Sequence, residues 1–105
     1  MLENYYENKL RKSVQQLGHG VRCLKFESPG FTGVPDRMIL LPGAKVIFVE
    51  MKKPGKTERK RQLYVQGLLR ALDFEVFSAV DSTEKIKAVL ARCTEVLECE
   101  GFYTP

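Results

Sequence analysis

The sequence predicts one α/β domain over residues 1–105, with a mixed central sheet flanked by helices in the order α-β-β-β-α-β-α. Two apolar runs, 38–41 and 46–49, are typical of strands near the centre of a sheet that is covered on both faces. Two further segments have strand character, and three others repeat apolar residues at helical spacing. The mixture of the two periods gives the α/β class.

The first element is a helix predicted over residues 2–17 and ended by Gly18. Its apolar stripe consists of Leu10, Val14 and Leu17. Extended toward the N terminus, this stripe reaches Glu7 and Glu3. We expect Glu3 to remain in water near a fraying end and Glu7 to face the sheet, where it would act at a metal site. Acidic residues in the first turns also favour the helix dipole, so a purely structural role for Glu7 stays open.

A strand over 21–27 leads into a glycine-rich loop over 28–33. Gly30 and Gly33 would let the backbone approach a ligand closely. Because the loop ends three residues before Asp36, we expect it to form a wall of the site. Ordinary turn chemistry explains the loop almost as well.

The two apolar strands form a hairpin whose register follows from its turn. Residues 42–44 (Pro-Gly-Ala) make a three-residue loop closed by Leu41 and Lys45. Counting back from that closure gives three opposed pairs: Leu40 with Val46, Met38 with Phe48, and Asp36 with Glu50. The register therefore places two carboxylates opposite each other in an apolar setting.

Lys52 lies two residues beyond Glu50 and so shares its face of the strand. Two opposed carboxylates repel each other unless a cation lies between them, which predicts a divalent-metal site with a lysine beside it. A salt bridge or a purely structural cation would also explain Asp36, Glu50 and Lys52.

The second helix is predicted from an N-cap at Thr57 to about Leu72, with Gln62 on its buried side. Residues 52–61 contain six basic residues and one acidic residue, while the whole chain has a net charge of +4. This basic block suggests an anionic partner, of which phosphate is the commonest, although a solvated loop and helix start is an equally good interpretation of charge alone. A strand over 74–80 and a last helix starting at 81–84 complete the order.

Composition excludes several classes of protein. The three cysteines have no C-x-x-C spacing, which argues against a disulfide framework or zinc cluster and favours a reducing, cytoplasmic interior. No apolar run approaches the roughly 20 residues of a membrane span. The N terminus lacks the features of a signal peptide. We therefore expect an intracellular protein with no membrane partner.

The residue types favour magnesium chemistry on a phosphodiester. Asp36, Glu50 and Glu7 offer the oxygen ligands that Mg²⁺ prefers. None of these candidate ligands is a histidine or cysteine, the residues that would favour zinc. Metal coordination makes a bound water a better nucleophile, and Lys52 could orient that water or stabilise the charge of the transition state. The neighbouring basic block points to a nucleic acid as the substrate.

Pro35-Asp36 followed by Glu50-Met51-Lys52 resembles the PD-(D/E)xK nuclease signature. The wider pattern, with residues 33–37, 42–43 and 48–52 and Gln62 in the next helix, is similar to the VRR-NUC (virus-type replication-repair nuclease) domain. The similarity extends from Glu3 to about Leu90. It implies a restriction-endonuclease-like core, and a virus- or prophage-encoded origin is compatible with it.

The resemblance also implies roles for individual residues. Asp36 and Glu50 would be metal ligands for Mg²⁺ or Mn²⁺, with the backbone carbonyl of Met51 as a further ligand. Lys52 would be the catalytic lysine, and Glu7 would act on the metal directly or through a water. Gln62 matches the family's helix glutamine. The candidate nucleic-acid contacts are Gly30, Thr32, Gly33, Arg37, Lys53, Lys56, Arg59, Lys60 and Arg61.

Stand-alone domains of this family are similar to Holliday-junction resolvases, which implies a homodimer acting on branched DNA, a four-way junction or a flap. The leading hypothesis is a metal-dependent endonuclease. A rival is a branched-DNA-binding module of the same fold without turnover, and a remoter alternative is a metal hydrolase acting on another substrate.

Overall fold

A computed structural model describes residues 5–102 and contains seven elements in the predicted order. They are α1 (Tyr5–Gln15), β1 (Arg22–Lys25), β2 (Arg37–Leu41), β3 (Lys45–Met51), α2 (Lys60–Ala71), β4 (Glu75–Val80) and α3 (Thr83–Cys99). The sheet order is β1-β2-β3-β4, antiparallel for the first two pairs and parallel between β3 and β4. The predicted mixed α/β sheet is confirmed. Glu3 lies outside the described residues.

The main core fills the space between one face of the sheet and helices α1 and α3. Its fully enclosed side chains come from all these elements and include Leu10, Ile39, Ile47, Val89 and Leu97. Burying such aliphatic side chains contributes roughly 1.5–3 kcal/mol each relative to exposure. Because α1 and α3 occupy this face, the opposite face is left to α2, whose Gln66 and Arg70 side chains bond to Ser78 of β4.

The hairpin register agrees with the prediction except at its open end. Leu40 pairs with Val46 and Met38 with Phe48, as the turn geometry requires. The ladder stops at Arg37 and Val49, so the predicted pairing of Asp36 with Glu50 is wrong as a backbone pair. The Asp36 carbonyl accepts a hydrogen bond from Phe26 N at 2.8 Å, which continues the pairing of β2 with β1 by one residue.

Helix α1 ends two residues before the predicted limit, and the predicted start of α2 is also wrong. Gly18 lies beyond the end of α1 in a turn, with φ 71°, a conformation that glycine adopts without strain. The N-cap of α2 is Arg59 rather than Thr57. Arg59 N donates to Gln62 Oε1 at 2.9 Å, the capping-box bond in which the side chain of the third helical residue accepts from the N-cap N–H.

A β-bulge interrupts the pairing of β3 with β4. Val49 pairs with Phe77, but Met51 pairs with Val80, so Ser78 and Ala79 together oppose the single residue Glu50. Ala79 has φ 51°, in the left-handed region, as a bulge residue often does. Bulges bend a strand and redirect its side chains, and this one lies directly beside a buried glutamate. Among residues 5–102, no helix has the length and apolar character needed to cross a bilayer.

Candidate active site

Asp36 lies at the start of β2 and is fixed by the backbone of β3. Its Oδ2 accepts a hydrogen bond from Met51 N at 2.8 Å. The side chain thereby bridges the open end of the hairpin, where the ladder bonds have stopped. This bond places the Asp36 carboxylate beside the segment that carries Glu50 and Lys52, as the predicted register required.

Glu50 is the most unusual residue of the site because its carboxylate is buried, with 1% of the residue exposed. Its Oε2 accepts a hydrogen bond from Gln62 Nε2 at 2.8 Å and lies 3.6 Å from Lys52 Nζ. Its Oε1 is buried without a hydrogen-bond partner. A buried carboxylate oxygen without a donor is costly, which indicates that the site is built for something the chain itself does not supply.

Gln62 connects the catalytic candidates to the start of α2. Its Oε1 accepts from Lys52 Nζ at 2.8 Å and from Arg59 N at 2.9 Å, while its Nε2 donates to Glu50. The two donors on Oε1 fix the orientation of the amide, so Nε2 must point toward the carboxylate. The amide therefore holds the ammonium of Lys52 next to Glu50, which is the arrangement predicted for a catalytic lysine.

Two residues that the sequence did not single out extend this network. Gln66, one turn after Gln62 and 1% exposed, donates through Nε2 to Glu58 and accepts from the Ser78 hydroxyl of the bulge. Glu58 is the one acidic residue of the basic block 52–61 and turns inward. The spacing of Gln66 four residues after Gln62 was the available signal, because residues so spaced share a helix face.

Burial and like charge raise the pKa values of both carboxylates. Burial raises the pKa of Glu50 to about 7, the charges of Asp36 and Glu58 add to this effect, and Lys52 opposes it. Burial also raises the pKa of Asp36 above its ordinary value, although the hydrogen bond from Met51 N works in the other direction. The positive charges and hydrogen-bond donors of the chain therefore do not fully compensate the two carboxylate charges.

A divalent cation fits this pair of residues. The donors are hard oxygens, one of them is buried and unpartnered, and the adjacent carboxylates resist ionising together. However, residues 5–102 contain no group of three or more His, Cys, Asp or Glu side chains arranged to hold a metal ion. The structure therefore brings together Asp36 and Glu50, while the expected third carboxylate, that of Glu7, does not join them.

That third carboxylate, Glu7, is bound elsewhere. Its Oε2 accepts a hydrogen bond from Arg37 Nε at 2.9 Å, and both side chains are largely enclosed. Arg37 pairs with Val49 on the core side of the sheet, where α1 lies, so the ion pair joins α1 to β2. Burial is the main cause of the raised pKa of Asp36, and the charge of Glu7 adds to it.

The predicted nucleic-acid contacts other than Arg37 lie on two segments that meet. Arg61 Nε donates to the Thr32 carbonyl at 2.9 Å, joining the loop 28–33 to α2. Gly33, with φ 92°, packs so tightly that a Cβ there would lie 2.7 Å from Arg61 Cγ. Of the other predicted contacts, Gly30, Lys53, Lys56, Arg59 and Lys60 are exposed. Arg37 differs from them, because its side chain is largely enclosed in the ion pair with Glu7. The loop is thus a wall beside the basic segment.

Comparison with known proteins decides the family. No family model matches the chain. The "Putative nuclease p44" of Acyrthosiphon pisum secondary endosymbiont phage 1 is 43% identical over 74 residues, which are 70% of this chain and 77% of that protein. A solved structure of a VRR_NUC domain superposes with a TM-score of 0.76 at 23% identity, over 87% of this chain and 96% of that one. The chain belongs to the VRR-NUC nuclease family.

Within this VRR-NUC domain, the charged groups of the site are concentrated at one end of the shared fold. The fold that it shares with the solved VRR_NUC domain consists of the mixed sheet and its helices. The open end of the β2–β3 hairpin then carries the charged groups, Asp36, Glu50 and Lys52, while α2 supplies the amide that orients them.

Proposed function

We propose that this VRR-NUC protein is a divalent-metal-dependent endonuclease that hydrolyses phosphodiester bonds in branched DNA. The observation that carries the proposal is the buried Glu50 carboxylate, whose Oε1 has no donor although Asp36 and Lys52 lie beside it. Such an arrangement is unfavourable in the chain alone and becomes favourable when a cation neutralises it.

Asp36, Glu50 and the backbone carbonyl of Met51 would hold Mg²⁺ or Mn²⁺. When bound, the ion supplies a more acidic water and neutralises charge on the phosphoryl oxygen. Lys52, fixed by Gln62, stabilises the negative charge that develops on the phosphate or orients the attacking water. Glu7 would act as an additional acidic residue through its charge on this end of the sheet.

The basic segment supports DNA as the substrate. Lys56, Arg59, Lys60 and Arg61 are exposed in the segment that follows Lys52, and Arg61 is bonded to the loop that leads to Asp36. Exposed lysine and arginine side chains bind backbone phosphates without reading sequence, which suits selection by DNA shape. A DNA-binding module without turnover would use the same residues, so binding and cleavage have to be measured separately.

A two-fold dimer is the proposed assembly, because paired sites match the two-fold symmetry of a four-way junction. The C-terminal end of α2 and the chain after it expose three large apolar side chains, Leu68, Leu72 and Phe74, with Leu72 69% exposed. Light scattering after size exclusion should give twice the chain mass, and Leu72→Glu should give a monomer. Leu72→Met is the matched control and should remain dimeric. A monomeric wild-type protein would contradict the assembly.

A cleavage panel tests the activity. Four-way junction, flap, linear duplex and single-stranded DNA would each be incubated with Mg²⁺, Mn²⁺ or a chelator. We expect metal-dependent cleavage, fastest on the junction or flap, and none with the chelator or with Asp36→Ala or Lys52→Ala. Cleavage that persists without divalent metal would contradict the mechanism, and salt-sensitive binding without cleavage under any metal would favour the binding module.

A further inference from the structure

Arg61 is held against two aromatic rings at the edge of the site. Its guanidinium carbon lies 4.6 Å from the centre of the Phe31 ring and 5.3 Å from the centre of the Tyr64 ring. Phe31 belongs to the loop 28–33 and Tyr64 to α2, so the arginine joins the two segments. We call Phe31, Arg61 and Tyr64 the aromatic platform. Arginine over an aromatic face is a favourable pairing that also orients the rings.

The platform is exposed although it is aromatic. Phe31 is 42% exposed and Tyr64 is 57% exposed, while Arg61 lies among the exposed bases of the segment 56–61. Exposed aromatic rings in a basic surface are the chemistry by which proteins bind unpaired nucleotides: a base stacks on the ring and the flanking phosphates contact the cations. A duplex offers no free base face at its surface, so the same rings gain little from paired DNA.

The platform also lies next to the catalytic candidates. Arg61 directly precedes Gln62, which donates to Glu50, and it contacts Gly33, which is three residues before Asp36. A nucleotide stacked on Phe31 or Tyr64 would therefore be close in the strand to the phosphate at Asp36 and Glu50. Neither ring is part of the charged set described for the active site.

We propose that the aromatic platform binds an unpaired nucleobase of the substrate strand, next to the phosphate that is cleaved. This inference rests on the proposed function, since it makes the unpaired nucleotide at a branch the feature that the site selects. The bond from Arg61 Nε to the Thr32 carbonyl pre-orients the platform, because the loop and the helix are joined before DNA binds.

Binding without cleavage provides the direct test. The probe is a DNA duplex with a short single-stranded branch that carries 2-aminopurine, whose fluorescence is quenched when it stacks. Measurements with a chelator keep the DNA intact, and affinity is read in parallel by anisotropy for this probe and for a fully paired duplex. The variants are Phe31→Leu and Tyr64→Leu, which remove a ring, and Tyr64→Phe, which keeps it. Tyr5→Leu is the matched control, because Tyr5 is a 53% exposed tyrosine with Lys9 Nζ 5.9 Å from its ring centre.

Removing a ring should weaken binding to the branched probe about tenfold and abolish the change in fluorescence. Affinity for the paired duplex should be unchanged, and Tyr64→Phe and Tyr5→Leu should behave as wild type. Absence of quenching with the wild-type protein, equal losses on both DNAs, or a loss in Tyr64→Phe would overturn the proposal. If Phe31→Leu disturbs the loop, as circular dichroism would show, Tyr64→Leu at an exposed helix position decides the matter.

The outcomes separate this inference from the nuclease proposal. If the wild-type protein quenches the 2-aminopurine fluorescence of the branch but cuts no DNA with Mg²⁺ or Mn²⁺, the platform proposal stands and the nuclease proposal is contradicted. Wild-type protein that cuts DNA while the ring variants bind and cut as it does would retain the nuclease and contradict the platform.

Discussion

Gln62 determines how Lys52 and Glu50 face each other, because one amide serves both residues. Its oxygen accepts from the ammonium and its nitrogen donates to the carboxylate, with Arg59 N as a second donor on the oxygen. Without this amide, Lys52 would be drawn closer to the carboxylate, which is 3.6 Å away, and Glu50 would lose its nearest donor. The residue is thus a positioning group that acts through two others.

Gln62→Met should lower the DNA cleavage rate about 10- to 100-fold and leave DNA affinity unchanged, as expected when a group that orients metal ligands is lost. Single-turnover cleavage and anisotropy binding measure the two quantities. Gln16→Met, at an exposed glutamine of the turn after α1, controls for the substitution itself. Loss of affinity in step with the rate would show that Gln62 contacts DNA instead.

Gly33 is a second residue whose local geometry has a measurable consequence. A Cβ at this position would lie 2.7 Å from Arg61 Cγ and 3.2 Å from the Arg61 carbonyl oxygen, in a backbone with φ 92°. Gly33→Ala should lower the free energy of unfolding by about 3 kcal/mol in urea titrations, because backbone strain and overlap add. Gly55→Ala has φ 83° and open space, so a loss of about 1 kcal/mol should isolate the strain. Equal losses would contradict the close contact.

The site could be predicted from single residues only where a regular element fixed their positions. A turn set the register of the hairpin, so the proximity of Asp36, Glu50 and Lys52 followed from counting. Glu58 was missed because it lies in the irregular segment before α2, where no hydrophobic period indicates its direction. Gln66 could have been found from its spacing of four residues from Gln62. Glu7 was placed on the correct helix face, but its pairing with Arg37 depends on side-chain reach across α1 and β2.

At the scale of elements, the structure differs from prediction where side-chain hydrogen bonds accompany an irregular backbone, at the start of α2 and at the bulge between β3 and β4. Gln62 accepts from the N–H of the N-cap residue Arg59 at the start of α2. The sequence did not indicate this start over Thr57, because the same glutamine also binds a lysine and a glutamate. The bulge opposite Glu50 contains Ala79, a residue without any preference for φ 51°. Ser78 in the same bulge is bonded to Gln66 and Arg70 of α2, contacts that a sequence does not display.

Strand β4 is joined to α3 and β3 by one acidic residue, Glu75. Its carboxylate accepts from Arg92 at 2.7 Å on each oxygen and is also paired with Lys45. The hydrogen bonds from Arg92 lower the pKa of Glu75 from 4.5 to about 2, with Lys45 contributing and burial opposing. This stabilisation is therefore complete above about pH 4.5 and is lost as the pH falls from there toward about 2.

The stability difference between wild type and Glu75→Gln should be constant above pH 4.5 and should shrink below it, because only the wild type loses an ionised partner of Arg92. Urea unfolding across this range measures the difference. Glu84→Gln is the control, since its side chain is 84% exposed and lies 3.9 Å from Lys87, a pair that is screened by solvent. A difference independent of pH would show that the Glu75 pairs do not stabilise the sheet.

For the whole molecule, one face of the sheet packs against the main hydrophobic core and the other carries the candidate active site. Helices α1 and α3 cover one face with an aliphatic core, while α2 and the loop 28–33 border the charged end of the hairpin on the other side. The class and order of elements could be predicted because they follow from hydrophobic period alone. Which helix brings its polar side to Glu50 follows from the crossover between β3 and the parallel β4.

The central claim is that the buried carboxylate pair holds a divalent cation on which DNA cleavage depends, and Glu50→Gln tests it most directly. The substitution keeps the size of the side chain and the acceptor for Gln62, but removes the charge that would hold the ion. Single-turnover cleavage of branched DNA at saturating Mg²⁺ or Mn²⁺ should fall on the order of 100-fold or more, with DNA affinity retained. A rate close to that of the wild type would contradict the claim.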